Sequence, residues 1–269
     1  MKLRILPALF SLLCISPLAQ AADSSLIRLA TTTSTDNSGL LNKLLPVFSA
    51  ETGYKVHVIA VGTGKALRLG KDGDVDVVLV HARAAEDKFV EEGSGVKRYP
   101  VMYNDFVIVG PKSDPAKIAG VKTSKQVFSR IQNSKSLFIS RGDNSGTHKK
   151  ELSIWKAAAL EAKGEWYREV GQGMGKVLQM ANELDAYTLT DRGTWLAYQN
   201  KVELQIVFEG ESTLFNPYGI IAVNPARYPD INFAGATALI EWITSKTKGQ
   251  QMIGDFKLAG QQLFTPNAD

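Results

Sequence analysis

Three short stretches of this chain gather groups that can donate hydrogen bonds to an anion. They are "TTTSTDNSGLL" from Thr31 to Leu41, "VGTGKAL" around Thr63, and "RGDNSGTHKKE" from Arg141 to Glu151. Each mixes glycine with serine or threonine just ahead of a helix-like run. Such a turn points free backbone N–H groups and the positive end of a helix dipole outward, and glycine lets the backbone approach a ligand closely. "RGDNSGT" is the sharpest of the three. Arg141 offers a planar fork of N–H donors to an oxyanion, and Ser145, Gly146 and Thr147 add hydroxyl and amide donors at a helix start. A plainer structural reading stands beside this one. Ser and Thr are common helix caps, Arg141 could pair with Asp143 or Asp191, and Lys65 could be a solvated charge. Capping and binding can coexist.

Motifs for other chemistry are missing. "VGTGKAL" lacks the spacing and the Gly-Lys-Ser/Thr ending of a nucleotide phosphate loop. There is no Gly-x-Ser-x-Gly elbow, no HExxH and no Cys/His metal spacing. The three histidines are dispersed: His57 lies within a strand, His81 ends one, and His148 directly follows Thr147. "YTLTDRGTW" puts Thr190, Asp191 and Arg192 at another strand end, where they could close a pocket or carry a hinge. A hydrolase with Ser145 as nucleophile is the alternative from another functional class.

Elements able to position these turns follow from the hydrophobic pattern. Short apolar runs alternate with amphipathic stretches, which predicts an α/β protein. "LIRLATTTS", "YKVHVIAVG" and "VDVVLVHA" read as strands. "SGLLNKLLPVFSAETG", closed by Gly53, "GKALRLGKDG" and "AEDKFVEEG" read as helices, with Asn37 or Ser38 as cap of the first. The cycle restarts from Lys112 to about Phe215, and "FAGATALIEWITS" begins a terminal helical region. "YPVMYNDFVIVGP" and "LFNPYGIIAVNP" are extended runs joining two α/β lobes. In open α/β sheets ligands sit at the carboxyl ends of strands, so turns of this kind in both lobes describe an anion pocket between them.

Composition narrows the options further. Residues 1–22 read as a cleavable signal peptide: "MKLR" is basic, "ILPALFSLLCISPLA" is apolar, and "AQA" ends at Ala21. The only cysteine, Cys14, lies inside it. Leu13 precedes it where a lipoprotein signal wants a small residue, so a soluble exported protein without disulfides is expected. The net charge of +4 includes Lys2 and Arg4, leaving about +2 after cleavage. That is too little to argue for nucleic acid or a membrane surface. No later segment reaches membrane-spanning length.

Together "TTTSTDNSGLL", "VGTGKALRLGKDGDVDVVLVHARAAEDKFVEEG", "YPVMYNDFVIVGP" and "RGDNSGTHKKE" closely resemble the tungstate-binding proteins of the TupA type, in order and across the mature chain. These are solute-binding components of tungstate ABC importers. The resemblance implies a type II periplasmic-binding-protein fold: two α/β lobes joined by two extended crossings, with a tetrahedral oxyanion in the cleft. It implies lobe 1 at 23–104, lobe 2 at 105–217, and a return to lobe 1 with C-terminal helices at 218–269. The implied ligand-binding residues are Thr32, Thr33, Ser34, Thr63, Gly64, Arg141, Ser145, Gly146 and Thr147. No catalytic residue, cofactor or coordinated metal ion is implied, and a periplasmic monomer working with a membrane permease is expected. Tungstate is a deprotonated dianion whose oxygens only accept hydrogen bonds, which suits hydroxyls, amides and an Arg. Hydrogenphosphate would want an acceptor as well, and Asp143 and Asp191 stand close enough in sequence to keep that question open. A molybdate or phosphate receptor on the same scaffold is the nearest alternative.

Overall fold

The computed structural model describes residues 25–143 and 145–268; the expected signal peptide at 1–22, with Cys14, lies outside the described residues. The chain opens with β1 (Leu26–Thr32), α1 (Thr33–Asn37), α2 (Leu40–Thr52), β2 (Lys55–Val61), α3 (Thr63–Asp72), β3 (Val77–Val80) and α4 (Arg83–Glu91). The long strand β4 (Gly95–Gly110) then leads into α5 (Ser124–Ser134), β5 (Phe138–Ser140), α6 (Gly146–Ala157), β6 (Tyr167–Glu169), α7 (Met174–Glu183), β7 (Thr188–Asp191), α8 (Arg192–Tyr198) and β8 (Gln205–Phe208). Strand β9 (Phe215–Val223) returns to α9 (Phe233–Thr244), α10 (Gly249–Asp255), β10 (Lys257–Leu258), β11 (Gln261–Gln262) and β12 (Thr265–Pro266).

In the first lobe β1 pairs in parallel with β2 on one side and β3 on the other. Antiparallel β9 and β4 extend the sheet, and β12 closes its edge. "VVLV" is buried throughout because helices cover both faces. Side chains alternate across a strand, so Val77 and Leu79 join a core with Leu41 of α2 and Leu239 of α9. Val78 and Val80 face the other way, onto Ala66 of α3 and Phe89 of α4.

The lobes are joined by β4 and β9. Their last pair is Asp105 with Phe215, and from Phe106 onward β4 pairs instead with β7, beginning at Asp191. The second lobe has its own aromatic core, where Trp155 meets Phe128 at 4.3 Å between ring centroids and Trp166 at 5.5 Å.

Three local expectations need correction. The strand expected over "LIRLATTTS" stops at Thr32, since Thr33–Asn37 forms a single helical turn that Thr32 caps by accepting the Thr35 amide. Threonine is a poor helix former, so the cap and the contacts of Thr35 hold this turn. Gly39, at φ +79°, separates it from α2, and the Ser38 hydroxyl accepts the Leu40 amide. The cap position of α2 is Gly39, which has no side chain to offer, so neither Asn37 nor Ser38 is the cap expected from sequence; Ser38 instead closes α1. The far end of α2 stops at Gly53, φ +78°, as its sequence predicts. The terminal region is also not helical alone, because β10, β11 and β12 follow α10.

Candidate functional site

Parallel pairing aligns Thr32 with Val61, so the β1–α1 and β2–α3 turns emerge side by side. Thr31 serves the scaffold: its buried hydroxyl donates to the Leu79 carbonyl at 2.7 Å and ties the ends of β1 and β3 together. Thr32 is a hub. Its Oγ1 accepts the Thr35 amide at 3.2 Å and lies 2.7 Å from Thr35 Oγ1 and 3.0 Å from Ser34 Oγ. Thr33 and Ser34 are exposed at the start of α1. Thr63 and Gly64 open α3, whose cap position Gly62 supplies no side-chain bond. The first amides of α3 therefore have no intrahelical acceptor and no side-chain cap.

His81 at the end of β3 was not among the expected site residues, yet it stands within this cluster. Its Nε2 lies 3.1 Å from Thr32 Oγ1 and 3.3 Å from Ser34 Oγ. On its other side Nδ1 meets Asn216 Oδ1 at 3.2 Å, and Asn216 Nδ2 donates to Asn104 Oδ1 at 2.8 Å. The ring rests 4.6 Å from that of Tyr218. This enclosure lowers the imidazole pKa, against the Asn216 hydrogen bond and the charge of Asp191. The turn carrying His81 is itself anchored, because Glu86 Oε1 accepts the Ala82 amide at 2.5 Å while Oε2 takes Arg98 Nε at 2.6 Å.

On the second lobe Arg141, Ser145, Gly146 and Thr147 share the β5–α6 turn. Arg141 donates to Asp143 Oδ2 through Nε and Nη2, and Asp143 Oδ1 accepts the Ser145 amide at 3.0 Å. Burial alone would raise Asp143, but the Ser145 and Arg141 hydrogen bonds outweigh it and hold it below the usual carboxylate range. Ser145 Oγ caps α6 by accepting the His148 amide at 3.2 Å. The structural roles weighed from sequence for Arg141 and Ser145 are thus both present. Beneath the turn, the Ser140 hydroxyl donates to Glu151 Oε2 at 2.7 Å and accepts the Gly142 amide at 3.3 Å. Glu151 Oε1 takes Trp155 Nε1 and the Tyr167 hydroxyl. His148 turns its ring onto Ser140, at 3.1 Å from Nδ1, with Nε2 3.6 Å from Glu169 Oε1.

The two turns face each other. A Cβ placed on Gly146 would stand 3.7 Å from Cε1 of His81, so the start of α6 reaches across to the hydroxyl cluster of the first lobe. Asp191 and Arg192 play other parts. Asp191 caps α8 through Thr194, and Arg192 grips Asp105 on β4 and Glu209. A surface depression of about 400 Å³ opens elsewhere, along Val121, Lys122 and 206–211. Its carboxylates, Glu209 and Glu211, do not suit an anion.

Hydroxyls and helix-start amides brought together where Gly146 meets His81 are groups that can donate to a small oxyanion. Among the described residues no cluster of three His, Cys, Asp or Glu could hold a metal ion, and no helix is long and apolar enough to cross a membrane.

The profile of the PBP superfamily domain matches residues 19–247. The tungstate-binding protein TupA of Peptoclostridium acidaminophilum is 50% identical over 246 residues, covering 90% of this chain and 86% of that one. The solved structure of the tungstate-binding protein TupA from Desulfovibrio alaskensis G20 superposes with a TM-score of 0.86 at 47% identity, over 91% of this chain and 99% of that one. A structure described as the tungstate ABC transporter from Geobacter sulfurreducens matches at 55% identity and a TM-score of 0.76, over 86% of this chain and 98% of that one. A two-lobed fold, turns rich in donors and likeness over nine-tenths of its length lead to one conclusion: the chain belongs to the PBP superfamily and, within it, to the family of the TupA tungstate-binding proteins.

Proposed function

We propose that this protein is a periplasmic tungstate receptor, exported by a signal peptide at 1–22, that hands its anion to the permease of an ABC importer. The observation that carries this reading is the meeting of Gly146, at the start of α6, with His81 in the Thr32–Ser34 cluster. It brings donors of both lobes to one place. Thr32, Thr33, Ser34, Thr63 and Gly64 line one wall, and Arg141, Ser145, Gly146 and Thr147 the other. The names of the relatives supply the anion. The change of β4 pairing between Asp105 and Phe106 supports a lobe boundary close to 104/105, and we place the return crossing at 217/218.

The protein acts as a binding monomer and not as an enzyme. Ser145 would need a general base to serve as nucleophile, and the ring of His148 is turned onto Ser140 instead. Calorimetric titration with tungstate, molybdate, sulfate and phosphate tests the proposal. Tungstate should bind tightly with one site per chain, and sulfate and phosphate weakly. Saturable binding of phosphate alone would refute it, as would turnover of phosphate or sulfate esters that disappears in Ser145→Ala.

A further inference from the structure

His81 lies outside the set of residues expected from sequence, and its hydrogen bonds fix more than its position. Asn216 Nδ2 is committed to Asn104 Oδ1, so Asn216 shows its oxygen to the ring. Nδ1 of His81 must therefore donate. In a neutral ring this leaves a lone pair on Nε2, the nitrogen that faces Thr32 and Ser34. A hydroxyl has one proton, and a proton given to Nε2 is not given to an anion. His81 and an incoming oxyanion therefore compete for the same donor.

We propose that His81 is the proton-linked member of the anion site: binding of an acceptor-only dianion draws one proton from solvent onto Nε2. The imidazolium Nε2–H then donates toward the hydroxyl oxygens, whose own protons turn to the anion. No covalent bond to the anion forms. This inference rests on the oxyanion reading above.

The surroundings of the ring agree with such a switch. The hydroxyls of Thr32 and Ser34 carry no charge, and both can act as donor or acceptor. From β9, Asn216 accepts from Nδ1 in either protonation state, and Tyr218 contributes an un-ionised ring whose own pKa is raised by burial and by Asp191. Asp191, at the start of α8, favours the protonated imidazole. Opposite stands the start of α6 at Gly146, whose dipole disfavours a proton on His81 until an anion binds beside them and offsets it. Enclosure keeps the ring neutral in the free protein. Arg141 is already shared with Asp143, so a dianion gains a second counter-charge when His81 is protonated.

The test is calorimetry of sodium tungstate binding between pH 7 and 8.5, in buffers of different ionisation enthalpy. The dependence of the observed heat on the buffer gives the protons taken up. Uptake should approach one proton per site, and affinity should fall up to about tenfold per pH unit where the free ring is neutral and the bound ring protonated. His81→Gln should take up none and bind with an affinity independent of pH. Should that variant fail to fold, ¹⁵N-histidine NMR of the wild type decides, because tungstate should convert one ring from the Nδ1–H form to imidazolium. Binding without proton uptake, uptake that persists in His81→Gln, or an unchanged ring on NMR would overturn this inference alone. No binding of any oxyanion would overturn the receptor reading and this one with it.

Discussion

Arg141 holds Asp143 through two guanidinium nitrogens, Nε at 3.0 Å and Nη2 at 2.6 Å, while the other Asp143 oxygen receives the Ser145 amide. The fork that would meet an anion is thus oriented by a carboxylate two residues away, which also fixes the start of α6. Arg141→Ala should lose most tungstate affinity and still fold. A charge-assisted hydrogen bond is worth about 1.5–3 kcal/mol, so a loss of at least about tenfold to a hundredfold is expected. Arg141→Lys should recover only part of it, because the planar fork is gone. Calorimetry reads both, and wild-type affinity in Arg141→Ala would place the anion elsewhere.

The features legible in the sequence were local ones. The apolar run of β3, the stop of α2 at Gly53 and the span of α3 each follow from a few adjacent residues. The β5–α6 turn announced itself because its donors are contiguous. The role of His81 was not legible in that way. It depends on Asn216, 135 residues further on, which reaches it only through the pairing of Val80 with Gly219. One signal was available: "VHA" ends the third parallel strand at the same sheet edge as the two expected turns. Glu86 and Glu151 were hidden for a different reason. Each sits in a helix of polar composition, and helical spacing does not distinguish a buried carboxylate from a solvated one.

Glu86 should give the protein a distinctive pH dependence. It is fully buried, and burial pushes its pKa up to about 7 against the pull of Arg98 and the Ala82 amide. A carboxyl whose folded pKa is raised binds its proton more tightly folded than unfolded. Stability from this group therefore increases as pH falls from about 7 toward 4.5 and is flat above that window. His81, with a lowered pKa, acts in the opposite sense below pH 6.5, so the comparison must be with Glu86→Gln, which retains it. Urea melts should show the wild type gaining about 1–3 kcal/mol on the variant between pH 7.5 and 5. A difference that does not change with pH would show that Glu86 titrates normally.

Glu151 supports the second wall. Ser140, Trp155 and Tyr167 all donate to it, and Ser140 in turn receives the Gly142 amide. Glu151→Gln presents an N–H₂ to at least one of these donors. About 1–3 kcal/mol of stability should be lost for the buried group left unmatched. Because the Arg141–Gly142 turn rests on this network, tungstate affinity should fall too, even at temperatures where the variant is fully folded. Glu151→Asp retains the carboxyl group and should recover more affinity than stability. A destabilised variant with unaltered affinity would separate the network from the site.

The approach of Gly146 to His81 makes the last prediction concern motion. The lobes are joined by β4 and β9, and an anion held by both walls should favour the closed arrangement. Ligand that binds only the folded protein adds about 2.7 kcal/mol at a hundred times its dissociation constant. For a chain of this size that is a melting shift of roughly 5–10 °C. Small-angle scattering should show a smaller radius of gyration with tungstate. Ser34→Ala combined with Thr63→Ala removes two hydroxyls from the first lobe only, leaving Arg141 and the α6 start intact. If the site bridges the lobes, the double variant should shrink less and melt lower with tungstate than the wild type does, while its melting temperature without ligand changes little. Neither hydroxyl contributes to the buried core, so a large loss without ligand would assign them to the fold instead. Full closure and full stabilisation in the double variant would mean that the second lobe holds the anion alone, and the bridging arrangement would be wrong.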